Sequence, residues 1–300
     1  MKKKTYLFAL MAMALTLGSC SDNENGIGGE TSKYITVSTS IGNMTRVATD
    51  ANGGQTFEEG DEISVYAWIG APTVAPETSE RVVNNAINKL TNGTWVSTPQ
   101  MLWKNNREKH YFIGVYPTAA ISDLSAGEYT FDVNKQTESD LLVAVNPDGL
   151  SYSADAQQTV PLTFTHVMAK LAVNLTYKNQ WGGIPTVEKV VVGNAAKKAT
   201  INYLTKVVTP STTAKEDFSL PEITENTKYV SVIIPQEEVT QLTIVIGGKN
   251  FVYDNGTPFK LESGKITTVN LEVGRDEIKL GDVKITDWED GSTFGGEALN

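Results

Sequence analysis

The stretch KYITVSTSIGNMTRVATD, from Lys33 to Asp50, begins with a strand pattern and ends in a polar segment around Arg46. Apolar or β-branched side chains take every second position at the start of the stretch, which is the period of one face of a β-strand. These inward-facing candidates are Ile35, Val37, Thr39 and Ile41. The stretch therefore predicts a β-strand followed by a segment in which an arginine is accessible.

The same period of two runs through the rest of the chain. Short segments rich in Val, Ile, Thr, Tyr and Phe alternate with clusters of Gly, Asn, Asp and Pro, which is typical of all-β proteins. Clear examples are 63–68, 111–116, 170–176, 187–192, 229–234, 242–246 and 266–273. Asn92-Gly93 predicts a hairpin turn, because both residues tolerate a positive φ, and Asp254-Asn255-Gly256 predicts another. For Glu77–Leu90, a helix and a strand with a hairpin both remain open.

The N-terminus predicts export and a lipid anchor. Lys2–Lys4 form a basic region, and the apolar run Tyr6–Leu17 is too short to span a bilayer comfortably, so residues 1–19 read as a signal peptide. Cys20 is the only cysteine of the chain and follows small residues, as in a lipobox. A single thiol cannot form an internal disulfide, and lipidation would account for it. We expect a lipoprotein of the outer membrane, displayed on the surface.

The charge limits the partners. The net charge is −10, and it becomes more negative when the signal peptide removes three lysines. Such a chain is a poor nucleic-acid binder, because phosphate contacts need Lys and Arg, and anionic lipid headgroups would repel it. We expect no nucleic-acid partner, and contact with a membrane only through the lipid.

The sequence predicts neither catalysis nor a cofactor. His110 and His166 are the only histidines, and their surroundings match no zinc or cupin motif. No Gly-x-Ser-x-Gly elbow is present, and the paired carboxylates, such as Glu58-Glu59, lie in turn-like contexts. We expect no metal site and no enzyme activity. The five tryptophans, including Trp68 and Trp181, could stack on sugars, although in β-domains they are more often core residues.

The polar stretch 151–160 interrupts the apolar pattern and predicts a domain boundary. The division is a signal peptide at 1–19, a linker with a removable N-terminal strand at 20–46, and two β-sandwich domains at 47–160 and 161–300. The C-terminal end carries a further strand candidate at 276–290, in which Gly281 predicts a bulge or a bend. Its apolar residues are Ile278, Leu280, Val283, Ile285 and Trp288.

An ordered series of short phrases along the chain resembles the fimbrillin (type V pilin) superfamily of the Bacteroidales. The phrases follow the lipobox and cover nearly the whole mature chain. They are Thr45-Arg46, Phe57–Val65, Gly93–Trp95, Leu102-Trp103, Tyr111–Pro117, Asp140–Ala144, Leu162–Leu171, Tyr229–Pro235, Ile266–Leu271 and Ile285–Trp288.

The resemblance implies two tandem transthyretin-like β-sandwich domains and a lipoprotein precursor attached through Cys20. It implies proteolysis between Arg46 and Val47, which releases the strand Lys33–Met44, and assembly by strand exchange. The stretch Ile278–Trp288 takes the place of a donor strand, although Trp288 could instead complete the second domain's core. Partners would be other fimbrial subunits and a receptor on a host or bacterial surface.

Two functions follow as hypotheses. The first is a fimbrial subunit or fimbria-associated adhesin that reaches the fimbrium after processing. The alternative is a monomeric surface lipoprotein that binds glycans for nutrient uptake through Trp68 or Trp181.

Overall fold

The computed structural model describes residues 33–42, 56–153 and 158–288, and these residues form an all-β protein, as predicted. Helical structure in the described ranges is limited to α1 (Gln136–Ser139) and two 3₁₀ turns, Thr78–Glu80 and Asn179–Trp181. The strands are β1 (Thr36–Ile41), β2 (Glu62–Ile69), β3 (Val83–Thr91), β4 (Thr94–Thr98), β5 (His110–Tyr116), β6 (Gly127–Thr130), β7 (Leu142–Leu150), β8 (Thr159–His166), β9 (Ala169–Tyr177), β10 (Val187–Ala196), β11 (Lys198–Asn202), β12 (Val207–Pro210), β13 (Lys215–Ser219), β14 (Glu222–Thr224), β15 (Lys228–Ile233), β16 (Gln236–Ile246), β17 (Lys249–Leu261), β18 (Lys265–Val273) and β19 (Ile278–Asp287).

The strands form four sheets. Their orders are β1-β8-β7-β5-β2-β3-β4, β13-β10-β16-β17, β12-β11-β6 and β14-β15-β9-β18-β19. The seven-stranded sheet curls until its first strand meets the segment that follows its last one. The amide of Ile35 donates to the carbonyl of Met101 over 2.9 Å, and the amide of Trp103 donates to the carbonyl of Lys33 over 3.1 Å. Strand β1 thus pairs with β8 on one side, and the residues directly before it bond to the segment Met101–Trp103.

Strand β2 lies inside the protein on both of its faces. Ile63 and Val65 pack in a core cluster with β1, whereas Tyr66 and Trp68 face a larger cluster that continues into the C-terminal half. A strand buried on both faces reads as a continuous apolar run rather than an alternating one. The sequence Ile63–Ile69 has this character, because β2 lies between β3 and β5 in the middle of its sheet.

For Glu77–Leu90 the sequence left a helix and a strand equally possible. The structure shows the 3₁₀ turn Thr78–Glu80 followed by β3. Asn92 and Gly93 have φ values of 51° and 72°, and they connect β3 to β4. This is the positive-φ geometry that Asn-Gly favours, so the hairpin predicted there is confirmed. The chain therefore uses the β-branched residues of this segment in a strand.

The turn predicted at Asp254-Asn255-Gly256 is wrong. The chain continues through it as the single strand β17, which pairs with β16 on both sides of the stretch, at Asp254–Gln241 and at Phe259–Val239. The register shifts between these pairs, so the stretch is accommodated as an irregularity within the ladder. The turn before β17 lies at Gly247-Gly248, where φ is 57° and 72°.

The predicted boundary between residues 160 and 161 falls inside β8. This strand pairs with β1 along its length and with β7 at its end, so it belongs to the seven-stranded sheet. The three-stranded sheet also joins both halves of the sequence, because β11 pairs with β6. A division after His166 would keep the seven-stranded sheet whole, and we retain two β-sandwich domains with that boundary as a proposal.

Candidate functional site

Strand β1 is inserted into the N-terminal core from the edge of its sheet. It pairs in parallel with β8, from Thr36 opposite Thr159 to Ile41 opposite Phe164. Ile35 is 2% exposed and Val37 is 6% exposed, and both lie in the core cluster of the seven-stranded sheet. The alternation read from the sequence is thus the alternation of the structure. The core is incomplete without this segment, because Val37 of β1 and Ile35 directly before it both contribute buried side chains.

One polar contact crosses from the inner face of β1 to the opposite edge of the sheet. The indole Nε1–H of Trp95, on β4, donates to the hydroxyl oxygen of Thr39 over 3.0 Å. Trp95 is 8% exposed, whereas Thr39 is half-buried. The hydroxyl therefore satisfies a donor that is almost fully withdrawn from water.

The outer face of β1 is polar, and its hydroxyl groups bond to β8 and to Gln158 directly before it. Thr36 and Thr159 form a hydroxyl pair at 3.2 Å, and Ser40 donates to the hydroxyl of Thr163 over 3.2 Å. Both contacts are exposed, so water competes with them. The apolar side chains of the inner face consequently carry most of the side-chain packing of β1.

Gly42, directly after β1, and Phe57, before β2, both contact Phe164 of β8. The amide of Gly42 donates to the carbonyl of Phe164 over 2.7 Å, and the ring of Phe57 meets the ring of Phe164 edge-on at 5.1 Å. The predicted cleavage residues Arg46 and Val47 belong to the stretch between these two anchors and lie outside the described residues. Cys20 also lies outside them.

Strand β19 forms the edge of the five-stranded sheet, antiparallel to β18. Gly281 is one extra residue between Leu280, opposite Leu271, and Asp282, opposite Asn270. This bulge shifts the phase of the strand, so all four apolar side chains of β19 face the same side as buried residues of β18. The pairs are Ile278–Val273, Leu280–Leu271, Val283–Val269 and Ile285–Thr267.

The apolar side chains of β19 are only partly covered. Ile278 and Leu280 are half-buried against the core, whereas Val283 is 36% exposed and Ile285 is 40% exposed. Ile278 and Leu280 have even numbers, whereas Val283 and Ile285 have odd numbers, so a regular strand would place the two pairs on opposite faces. The bulge at Gly281 brings both pairs to one face, and this glycine was its only signal in the sequence.

Trp288, directly after β19, is buried at 1% exposure. Its ring is stacked on the ring of His166, with centroids 4.0 Å apart and planes 7° apart, and the Nζ atom of Lys170 lies 4.1 Å from its centroid. The Nδ1 atom of His166 lies 2.8 Å from a carboxylate oxygen of Asp140. Trp288 thus completes the core, the alternative raised from the sequence, while the four apolar residues before it remain in an exposed edge strand.

Residues 45–288 match the sequence model of the fimbrillin-like family. The chain belongs to the fimbrillin-like family. Its match begins after β1, one residue before Arg46, and ends at Trp288. No curated protein matches the chain.

Solved structures share the fold of this fimbrillin-like chain. A candidate cell adhesion protein of Bacteroides uniformis is 18% identical, with a TM-score of 0.59, and the match covers 86% of this chain and 100% of that one. A candidate cell adhesion protein of Bacteroides ovatus is 17% identical, with a TM-score of 0.62 and coverages of 85% and 98%. A fimbrial protein of Bacteroides vulgatus is 14% identical, with a TM-score of 0.50 and coverages of 84% and 99%.

The histidines of this fimbrillin-like chain have structural contacts. The Nε2 atom of His110 accepts from the amide of Lys104 over 3.1 Å, and Nδ1 lies 3.2 Å from the carbonyl of Glu108, which fixes the neutral Nδ1–H tautomer. Burial lowers the pKa of His110, because the charged ring would lose its water. In the described ranges, no three His, Cys, Asp or Glu residues are grouped so that they could hold a metal ion.

Of the two tryptophans named for glycan stacking, Trp68 is buried and Trp181 is only partly accessible. Trp68 is 2% exposed and its Nε1–H donates to the carbonyl of Ala71 over 3.0 Å. Trp181 is half-buried, its Nε1–H donates to the carbonyl of Val273, and its ring meets Phe251. Sugar stacking needs an accessible ring face, so these two residues lend the glycan-binding alternative little support. No helix in the described part of this fimbrillin-like chain is long and apolar enough to cross a membrane.

Proposed function

We propose that the protein is a fimbrial subunit or a fimbria-associated adhesin without enzymatic activity, assembled with other subunits by strand exchange. The observation that carries the proposal is the position of β1. This strand fills part of the core, yet it precedes the segment that matches the fimbrillin-like family. A strand that completes a core but lies before the segment matched by the family has the properties expected of a removable element.

The proposal includes processing and localisation. The precursor is anchored in the outer membrane through lipidated Cys20, and cleavage after Arg46 separates the body of the protein from the anchor. The subunit then leaves the lipid and joins the fimbrium. Two of the compared structures are described as candidate cell adhesion proteins, which supports the localisation of this protein at the cell surface.

Loss of β1 would create a site that attracts another strand. The pockets of Ile35 and Val37 would open to water, at a cost of about 1.5–3 kcal/mol for each side chain. The backbone groups of β8 and of the segment at Met101–Trp103 would lose their partners. An incoming strand restores the backbone pairing and fills the same pockets. Repetition of this contact from subunit to subunit gives an open polymer.

Strand β19 supplies the donor in this proposal. It lies at a sheet edge, and Val283 and Ile285 are apolar yet exposed. Trp288 would have to leave its buried site, or hold the end of the strand while the preceding part inserts. The second arrangement uses the exposed residues and leaves the core of the donor subunit intact.

The test is the double variant Val283→Asp with Ile285→Asp in the full chain. Both side chains are exposed in the monomer, so we expect it to fold and to be cleaved at Arg46. Charges at these positions would enter apolar pockets of the acceptor, so the cleaved variant should form no detergent-resistant multimers. Lys284→Asp is the matched control, because this residue is exposed and points to the other face. Multimers formed equally well by the double variant would overturn β19 as the donor.

A further inference from the structure

The inner face of β1 combines apolar positions with a single hydroxyl at Thr39. That hydroxyl accepts the hydrogen bond of the Trp95 indole N–H over 3.0 Å. The strand is therefore recognised by more than apolar volume. An acceptor stands at one defined position along a groove that is otherwise lined by apolar side chains.

The indole group is held in place and cannot easily turn to another acceptor. Trp95 is 8% exposed, and its ring is packed edge-on against Phe57 at a centroid distance of 5.3 Å. An apolar side chain at the position of Thr39 would cover the N–H and leave it without a partner. A buried donor without a partner costs more free energy than a formed hydrogen bond contributes to stability. The groove thus discriminates against strands that lack an acceptor at this register.

Resting on the proposed strand exchange, we infer that Trp95 selects the incoming strand and fixes its register. The occupant is the segment Val283–Asp287 of a second copy, with the Asp287 carboxylate in the place of the Thr39 hydroxyl. Val283 and Ile285 then take the pockets of Ile35 and Val37.

The same pattern gives the direction of insertion. From the N- to the C-terminus, Val283, Ile285 and Asp287 place two apolar residues and then a hydrogen-bond acceptor at alternate positions. Ile35, Val37 and Thr39 have the same order. In the reverse direction, each acceptor follows a charged residue at a position where an apolar residue is needed: Asp282 follows Lys284, Thr286 follows Asp290, and Asp287 follows Glu289. The donor therefore runs parallel to β8, as β1 does. Ile278, Leu280 and Asp282 have the same order of residue types. Ile278 and Leu280 are already half-buried in their own subunit, so this match is less available for insertion than Val283, Ile285 and Asp287.

The test measures peptide binding to the full chain after cleavage behind Arg46. The probes are a peptide of residues 281–288 and its Asp287→Asn and Asp287→Leu variants, with the β1 peptide 33–42 as the reference. We expect the Asn peptide, which keeps an acceptor, to bind within about threefold of the parent. The Leu peptide should bind about tenfold more weakly, the loss expected for one hydrogen bond. On the Trp95→Phe protein this difference should vanish.

Each other outcome has a defined meaning. Equal binding of the Leu peptide to the parent protein, or an equal loss on the Trp95→Phe protein, overturns the role of Trp95. If the β1 peptide binds and no β19 peptide does, the second copy is not the occupant. If even the β1 peptide fails to bind, strand exchange itself is overturned.

A measurement in the intact chain separates the Thr39–Trp95 pair from strand exchange. Thr39→Val should shift the Trp95 indole N–H resonance and speed its hydrogen exchange about tenfold, whereas Thr39→Ser should not. Thr36→Val is the matched control, because this hydroxyl lies on the outer face of the same strand. An unchanged indole signal in Thr39→Val would overturn the selection by Trp95, whatever the peptides show.

Discussion

The indole ring of Trp288 lies flat on the imidazole ring of His166, with centroids 4.0 Å apart and planes 7° apart. His166 ends β8, a strand of the seven-stranded sheet, and Trp288 follows β19, the edge strand of the five-stranded sheet. The contact therefore ties the C-terminal end of the described chain to the sheet that holds β1. The two terminal strands of the described chain are both linked to β8, one by pairing and one by this stacked pair.

Trp288→Ala should loosen β19. The substitution removes the buried ring and leaves a cavity against His166 and Lys170, so we expect a loss of about 3–5 kcal/mol in the free energy of unfolding. Hydrogen exchange of the β19 amides should rise more than that of the β9 amides, because β19 is an edge strand. Ile285→Ala is the control, and we expect it to cost less than about 1 kcal/mol, since this side chain is 40% exposed. Unchanged protection of β19 in Trp288→Ala would contradict the anchoring role.

Substitutions on the two faces of β1 should differ sharply. Val37→Asp buries a carboxylate in the core, so it should destabilise the packing of β1 by about 3 kcal/mol or more. Ser38→Asp places the same group on the exposed face and should change stability by less than about 0.5 kcal/mol. Urea unfolding and the exchange rates of the β1 amides measure both. Similar effects from the two variants would show that β1 is not packed through Val37.

Arg81 is expected to hold a loop through hydrogen bonds rather than through an ion pair. Its Nη1 donates to the carbonyl of Ile121 over 2.6 Å, and its Nη2 donates to the carbonyl of Ser122 over 2.5 Å. Arg81→Met keeps much of the side-chain volume but removes the donors, so we expect a loss of about 2–4 kcal/mol. Arg81→Lys should recover only part of it, because an ammonium lacks the planar fork. A Met variant as stable as the parent in urea would contradict this.

Stability should fall as the pH drops through the titration range of His110. The folded pKa of this histidine lies below its unfolded value of about 6.5, so the unfolded state binds more protons in the interval between them. The neutral ring contributes its full stability above pH ~6.5, and that contribution is lost progressively as the pH falls toward the folded pKa. Proton NMR can follow His110 and His166 separately, since the chain has only two histidines. A folded His110 that titrates at or above the ordinary value would contradict the prediction.

The alternation of apolar and polar side chains predicted the strands well, because this pattern depends only on residues close together in the sequence. The strand at Ile35–Ile41 and the Asn92-Gly93 hairpin are of this kind. The Asp254-Asn255-Gly256 stretch is not, since pairing with β16 on both sides overrides the local preference for a turn. The boundary near Val160 was misplaced inside β8 because the partners of that strand, β1 and β7, are not visible from its own residues.

The candidate site shows the same limit. The positions of Ile35 and Val37 followed from the pattern, and Gly281 signalled the bulge. The bulge brings four apolar residues to one face, but this follows only from the register with β18. The pairing of Trp95 with Thr39 joins residues 56 positions apart and left no trace in the sequence.

The most direct test of strand exchange is limited digestion of the soluble precursor with an arginine-specific protease. The new N-terminus is sequenced, and the product is run unboiled on a denaturing gel, with Arg46→Ala as the control. The account predicts a start at Val47, loss of the β1 segment and a ladder of detergent-resistant multimers that the control does not form. A product cut at Arg46 that retains β1 and stays a monomer would contradict it.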